Sequence, residues 1–196
     1  MSYLFTVLIG VVAGILGAIL GVGGAVVMLP ATDYLLNLPT ANAIGTTLFA
    51  VMFTALSGAW GHFRQGNVNL SWGLRVGLGG LVGIILGSYL FKEYFSSREQ
   101  VLTIMLAILF GFMAVRMARD TWRELKNGNQ GQHQSQFKAP LWTMPLIGLV
   151  VGCLTGILGL GGGFIIVPAM IWLYGAAPYL AVGTTLLSIF PITAVG

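Results

Sequence analysis

Apolar runs, several of them close to 18 residues long, recur along the whole sequence, at approximately 3–20, 25–38, 43–60, 72–91, 101–117, 141–158, 164–174 and 180–196. A helical run of that length crosses a hydrocarbon core about 30 Å thick. The strands of a membrane β-barrel would alternate apolar and polar residues over short segments, whereas these runs are continuous. The expected fold class is therefore all-α, a polytopic transmembrane helical bundle. Composition points the same way, since 7% of residues are charged and 57% hydrophobic. About 25% charge is usual for a soluble domain, and so few charges cannot cover a surface facing water.

The breaks between runs carry helix punctuation. Thr40 and Ser71 are expected to cap the helices that follow them. Ser97 with Gln100 fits a capping box, and Pro39 and Pro140 stand near segment starts, where a missing amide costs little. The one long polar stretch, RDTWRELKNGNQGQHQSQFK at 119–138, reads as a solvated linker. It divides the chain into a first repeat (1–118), a linker (119–140) and a second, incomplete repeat (141–196).

The formal charge of +4 does not indicate nucleic acid. Arg116, Arg119, Arg123, Lys126 and Lys138 cluster around the linker and place it in the cytoplasm by the positive-inside rule. The loop GHFRQGNVN, with Arg64, is expected on the same side, and the loop around Lys92 and Arg98 on the other. Cys153 lies in an apolar run with no partner for a disulfide and reads as an inert, buried thiol. The first twenty residues are not read as a cleaved signal, because their pattern returns inside the chain.

That return is an internal repeat. Residues 14–58 align without a gap on 152–196 at an offset of 138, with 16 of 45 positions identical. Gly21, Gly23, Gly24 and Pro30 match Gly159, Gly161, Gly162 and Pro168, and Gly45-Thr46-Thr47 matches Gly183-Thr184-Thr185. Apolar composition produces chance matches of Leu and Val, but not that set at one offset. Duplicated halves commonly build a secondary transporter, with the substrate site where the halves meet. If each glycine-flanked pair of runs forms a hairpin, a half crosses the membrane an odd number of times and the two halves are inverted; if the pair forms one broken crossing, the number is even and the halves are parallel. The first half continues for about 60 residues beyond Gly58, so a complete second half would end near position 256, and two spans are expected to be missing.

GVGGAVVMLPA, GLGGGFIIVPA, the Gly-Thr-Thr-Leu that follows each and the loop GHFRQGNVN together resemble the sulfite exporter TauE/SafE family of membrane permeases. The resemblance implies transport of sulfite, a sulfonate or another small organosulfur anion. It also implies an integral protein of the bacterial inner (plasma) membrane.

The residues supply a physical reason for such a site. Glycine lets the backbone leave helical geometry without steric cost. Inside a membrane an irregular backbone is tolerated only where protein or a water-filled cavity satisfies it. Gly21, Gly23 and Gly24 in one half, and Gly159, Gly161, Gly162 and Gly163 in the other, are thus expected to aim free helix-start amides at a shared anion, with no buried cation needed. The plainer reading is that these glycines only allow tight helix packing. A dinucleotide loop is rejected, since no parallel-sheet context accompanies the glycines. Thr46, Thr47, Thr184 and Thr185 offer hydroxyl donors, although membrane threonines often bond their own helix.

Asp33 and Arg64 are candidates for coupling or gating. The plainer readings are a solvated acid at a segment end and positive-inside anchoring. His62 flanks the same loop as Arg64, and His133 falls in the linker. Gly79/Gly83/Gly87 and Gly148/Gly152/Gly156 are small-residue stripes expected at helix contacts. Trp60, Trp72, Trp122 and Trp142 fall near segment ends, as interfacial tryptophans do. No cofactor and no metal are expected, and no catalytic constellation argues for an enzyme. The expected partners are a small anionic substrate and the lipid bilayer, with a homo-oligomer compatible with both. The competing readings are a passive anion channel and a truncated, non-transporting membrane scaffold.

Overall fold

The computed structural model describes residues 2–36, 40–95, 99–127 and 139–196. Within them the apolar runs form α1 (Ser2–Leu20), α2 (Ala25–Leu36), α3 (Thr40–Arg64), α4 (Leu70–Leu90), α5 (Glu99–Asn127), α6 (Thr143–Leu158), α7 (Gly163–Tyr174) and α8 (Pro178–Val195). A π-helical turn, Phe91–Phe95, extends α4. No strand occurs among the described residues, and four of these helices are long and apolar enough to cross a membrane. The protein is an all-α polytopic membrane protein.

Two boundaries differ from the sequence expectation. α4 starts one residue before Ser71 and is capped by Asn69, whose Oδ1 accepts a hydrogen bond from the Trp72 amide at 3.1 Å. Asn is among the strongest N-cap residues and sits just outside the first turn, whereas Ser71 is already inside it. α5 does not end at the last apolar residue. It continues as helix through 119–127, into the stretch read as linker. Arg, Glu, Leu and Lys are good helix formers, so the polarity of that stretch describes its solvation and not its backbone. Ser97, His133, Lys138 and the rest of 128–138 lie outside the described residues, as does the side chain of Thr40.

The tightest contact in the bundle joins α4 to α6. The buried side of α4 consists of six glycines with Val76 and Ile84. A Cβ at Gly79, Gly83 or Gly87 would strike the backbone of Pro145, Leu149 or Cys153 respectively. In return, Gly148, Gly152 and Gly156 lie against the backbone at Val76, Gly80 and Ile84. Both sequences ascend together, so the helices run parallel with their glycine stripes interlocked. Lipid tails are as apolar as Leu and give no hydrophobic drive to associate, so close backbone approach supplies the packing energy instead. Large side chains are turned the other way: Leu74, Leu78, Val82, Ile85 and Tyr89 on α4 are all exposed, as bilayer-facing residues are.

α8 lies between α4 and α3. Gly73 of α4 faces Leu187, and Gly77 faces Pro191 and Ser188. On its other side α8 runs antiparallel to α3, with Gly58 against Leu186, Leu48 beside Gly196, and His62 beside Gly183. Ala25, Val51, Ala55, Ile166, Val182, Leu186 and Ile189 fill the buried cluster where α2, α3, α7 and α8 converge.

Candidate functional site

Each of the two glycine phrases is a sharp reversal between helices. α1 ends at Gly21 (φ +71°), and Gly23 and Gly24 are also left-handed, at +75° and +86°. The Gly17 carbonyl accepts from the amides of Val22 (3.0 Å) and Gly23 (3.1 Å), closing the helix end. A Cβ at Gly24 would meet the Ala13 carbonyl at 2.5 Å, so α2 starts back alongside α1. The second reversal repeats these angles: Gly159, Gly161 and Gly162 stand at +70°, +69° and +72°. Gly159 donates to the Thr155 carbonyl at 2.7 Å, and Gly162 lies against Val151 and Thr155. Only glycine takes such conformations routinely, which is why the phrase needs three of them in each half.

The two reversals touch. A Cβ at Gly163 would collide with the Gly21 carbonyl oxygen and lie 2.8 Å from the Val22 Cα, and Gly161 is near the Val22 carbonyl. Around them, Gly21 lies against Val182 of α8, and Gly159 lies against Ile44 of α3. The offset of 138 exchanges these two contacts, and likewise the pairs Gly58–Leu186 and Leu48–Gly196.

Each reversal opens a helix whose first amides have no partner in their own helix. In α7 the Gly162 carbonyl takes the amides of Ile165 (3.1 Å) and Ile166 (3.2 Å), leaving those of Gly163 and Phe164 at the helix mouth. In α2 the Gly24 carbonyl takes the amides of Val27 (3.2 Å) and Met28 (3.0 Å), leaving those of Ala25 and Val26. Partial positive charge therefore gathers at both mouths without a Lys or Arg. Pro30 and Pro168 further free the carbonyls of Val26 and Phe164, since proline has no amide to give.

The four threonines of the doublets have different environments. Thr46 is exposed and donates to the Asn42 carbonyl of its own helix at 2.8 Å. Thr184 is fully buried and accepts from the Asn69 amide at 3.0 Å. Thr185, also buried, points at the Met170 sulfur, 3.8 Å away. Thr47 is buried, and its hydroxyl has no hydrogen-bond partner. It lies one turn along α3 from Ile44, the residue that covers Gly159. Of the four hydroxyls, Thr47 is the one with a fully unmet requirement.

The Arg64 loop packs on the second doublet. Gly66 (φ +74°) turns the chain, and the His62 carbonyl takes the amides of Gln65 (3.2 Å) and Asn67 (2.9 Å). The Asn67 carbonyl and the His62 side chain then press on Gly183, where a Cβ would not fit. Ser188 donates to the Thr184 carbonyl (2.9 Å) or the Gly73 carbonyl (3.1 Å), joining α8 to α4. His62 Nδ1 is buried without a partner. Arg64 itself is exposed, with its guanidinium 5.1 Å from the centre of the Trp60 ring. Asp33 belongs to α2, but its side chain lies outside the described residues.

Sequence reasoning missed Thr54, Val51 and Ile189. Thr54 Oγ1 lies 2.5 Å from the Gly23 carbonyl and 3.0 Å from that of Val51, tying α3 to the first reversal. Its position in the repeat carries Ile192, so duplication gave no signal for it. Val51 and Ile189 are equivalent positions in the repeat, but an apolar pair draws no notice in an apolar chain.

The profile of the family described as sulfite exporter TauE/SafE matches residues 6–196. A probable membrane transporter protein of Bacillus subtilis, YunE, is 28% identical over 97% of this chain and 75% of its own length. A second from the same organism, YdhB, is 30% identical over 96% of this chain and 73% of its own length. A probable membrane transporter protein of Methanocaldococcus jannaschii is 24% identical over 84% of this chain and 60% of its own length. No solved structure matches.

Proposed function

We propose that this chain, which belongs to the sulfite exporter TauE/SafE family of membrane transporters, is a secondary permease for a small anion such as sulfite, a sulfonate or another organosulfur compound. The anion is held where the two glycine reversals meet. The observation that carries this reading is the contact of Gly163, the first residue of α7, with the Gly21 carbonyl, which brings the α7 mouth against the reversal that leads into α2. Two helix mouths then share one anion, each supplying unpaired amides. The Thr47 hydroxyl is the strongest candidate for an additional donor, since it is buried and has no other partner. Thr46, Thr184 and Thr185 are weaker candidates because each already has a contact of its own.

The chain reads as two repeats, 1–118 and 141–196, related by inversion. The antiparallel course of α3 and α8, which align at the repeat offset, supports the inversion, as does the hairpin form of each glycine reversal. In this reading the segment 119–140 is cytoplasmic in a bacterial plasma membrane, and Arg64 draws anions to the inner mouth. Asp33 is the candidate for coupling to protons.

The test is efflux from liposomes containing the protein and loaded with sulfite, sulfoacetate or thiosulfate, with and without a proton gradient. Gradient-dependent efflux of at least one anion is expected, and Gly161→Leu is expected to abolish it without affecting insertion. Equal efflux from protein-free liposomes for all three anions would refute the reading. Efflux that ignores the gradient would assign a channel.

A further inference from the structure

Two apolar side chains lie against the two reversals. Val51 on α3 and Ile189 on α8 are both fully buried. Val51 touches both reversals: its Cγ1 lies 2.6 Å from a Cβ built at Gly23 and 3.0 Å from one built at Gly161. Ile189 lies over the second reversal, with Cδ1 2.7 Å from a Cβ built at Gly163 and Cγ2 3.9 Å from one at Gly161. The two positions are 138 apart, the offset of the repeat, so each half contributes one of them. Both are aliphatic and β-branched, hence stiff at χ1 and able to move out of the way only with their helices.

An anion at these amides would lie against methyl groups that offer it no hydrogen bond. Burying an unpaired charge there is far too costly for the site to be occupied as it stands. Thr54 marks where the arrangement can give. Its hydroxyl has one proton and two acceptors in reach, the Gly23 carbonyl of the first reversal and the Val51 carbonyl on its own helix. Donation to Gly23 holds α3 against the reversal, and donation to Val51 releases it.

We propose that Val51 and Ile189 form a two-residue apolar plug, one residue from each half, that closes the anion site and must withdraw for an anion to enter. The proposal deepens the permease reading and rests on it for the identity of what the plug excludes. Whether Val51 and Ile189 close access to the reversals does not depend on which anion they exclude. Removing three carbons at Ile189 leaves room for water, which takes about 30 Å³ per molecule and has polar backbone to bind there.

The experiment measures access directly, in membrane vesicles carrying Cys153→Ala. Val51→Cys is labelled with a membrane-impermeant, anionic methanethiosulfonate reagent, with Ile189 intact and with Ile189→Ala. Labelling at least tenfold faster in Ile189→Ala is expected, returning to the slow rate in Ile189→Val. Leu102→Cys, buried in the separate cluster with Leu158 and Leu160, is expected to stay unlabelled throughout. Equal rates at Val51→Cys in the two backgrounds would overturn the plug, as would a parallel rise at Leu102→Cys. Sulfoacetate efflux from the same variants separates the two ideas. Faster labelling with no passage of sulfoacetate, sulfite or thiosulfate keeps the plug and refutes the permease. Passage with unchanged labelling does the reverse.

Discussion

The Cα of Gly163 faces the carbonyl oxygen of Gly21 so closely that no side chain fits between them. The obstacle is backbone on both sides, which cannot rotate away as a side chain can. Gly163→Ala is therefore expected to push the two reversals apart and to cost about 1–3 kcal/mol, the range for overpacking. The check is a thermal melt in detergent beside the efflux assay. A variant with unchanged melting and transport would mean that the reversals need not touch.

The α4–α6 seam makes a second, independent prediction. Gly83→Leu would drive a side chain into the backbone of Leu149 and Cys153, and is expected to lower the melting temperature sharply. Gly111 in α5 has open space where its Cβ would be. Gly111→Ala is expected to be neutral or stabilising, by up to about 0.5–1 kcal/mol, from helix propensity alone. Comparing the two melts tests whether the glycines act by close approach or by flexibility, since flexibility predicts the same sign for both.

The threonine doublets separate by hydrogen bonding. Thr184→Val leaves the partly buried Asn69 amide without this acceptor, at an expected cost of about 0.5–1.5 kcal/mol. Thr47→Val removes a hydroxyl that has no partner, so stability is expected to hold or rise. If Thr47 binds the anion, that same variant loses transport while melting like the wild type. Full transport in Thr47→Val would remove this residue from the site.

Arg64 is exposed, so what it offers an anion is its long-range charge. Arg64→Gln is expected to slow anion passage two- to tenfold at low ionic strength. The difference should vanish near 1 M salt, where the Debye length is about 3 Å. Initial rates across a salt series measure this. A salt-independent loss would point instead to the stacking of Arg64 on Trp60.

The family and the all-α membrane fold were legible in the sequence, because continuous apolar runs and a glycine-proline phrase written twice have few physical solutions. The stripes Gly79/Gly83/Gly87 and Gly148/Gly152/Gly156 announced close packing, since small residues at that spacing share a helix face. Their partners were not legible. That these two stripes interlock with each other, in parallel, depends on contacts between residues about 66 apart. Nor did spacing rank the threonines: Thr46 and Thr47 are neighbours with the same chemistry, and only α3's surroundings expose one and bury the other. Val51 and Ile189 stayed hidden because in this chain an apolar residue carries no local mark. Local pattern thus determined where the apolar helices lie and where they reverse. Tertiary structure decided which residues face the reversals, because that depends on how separate helices pack and not on the order of residues along any one of them.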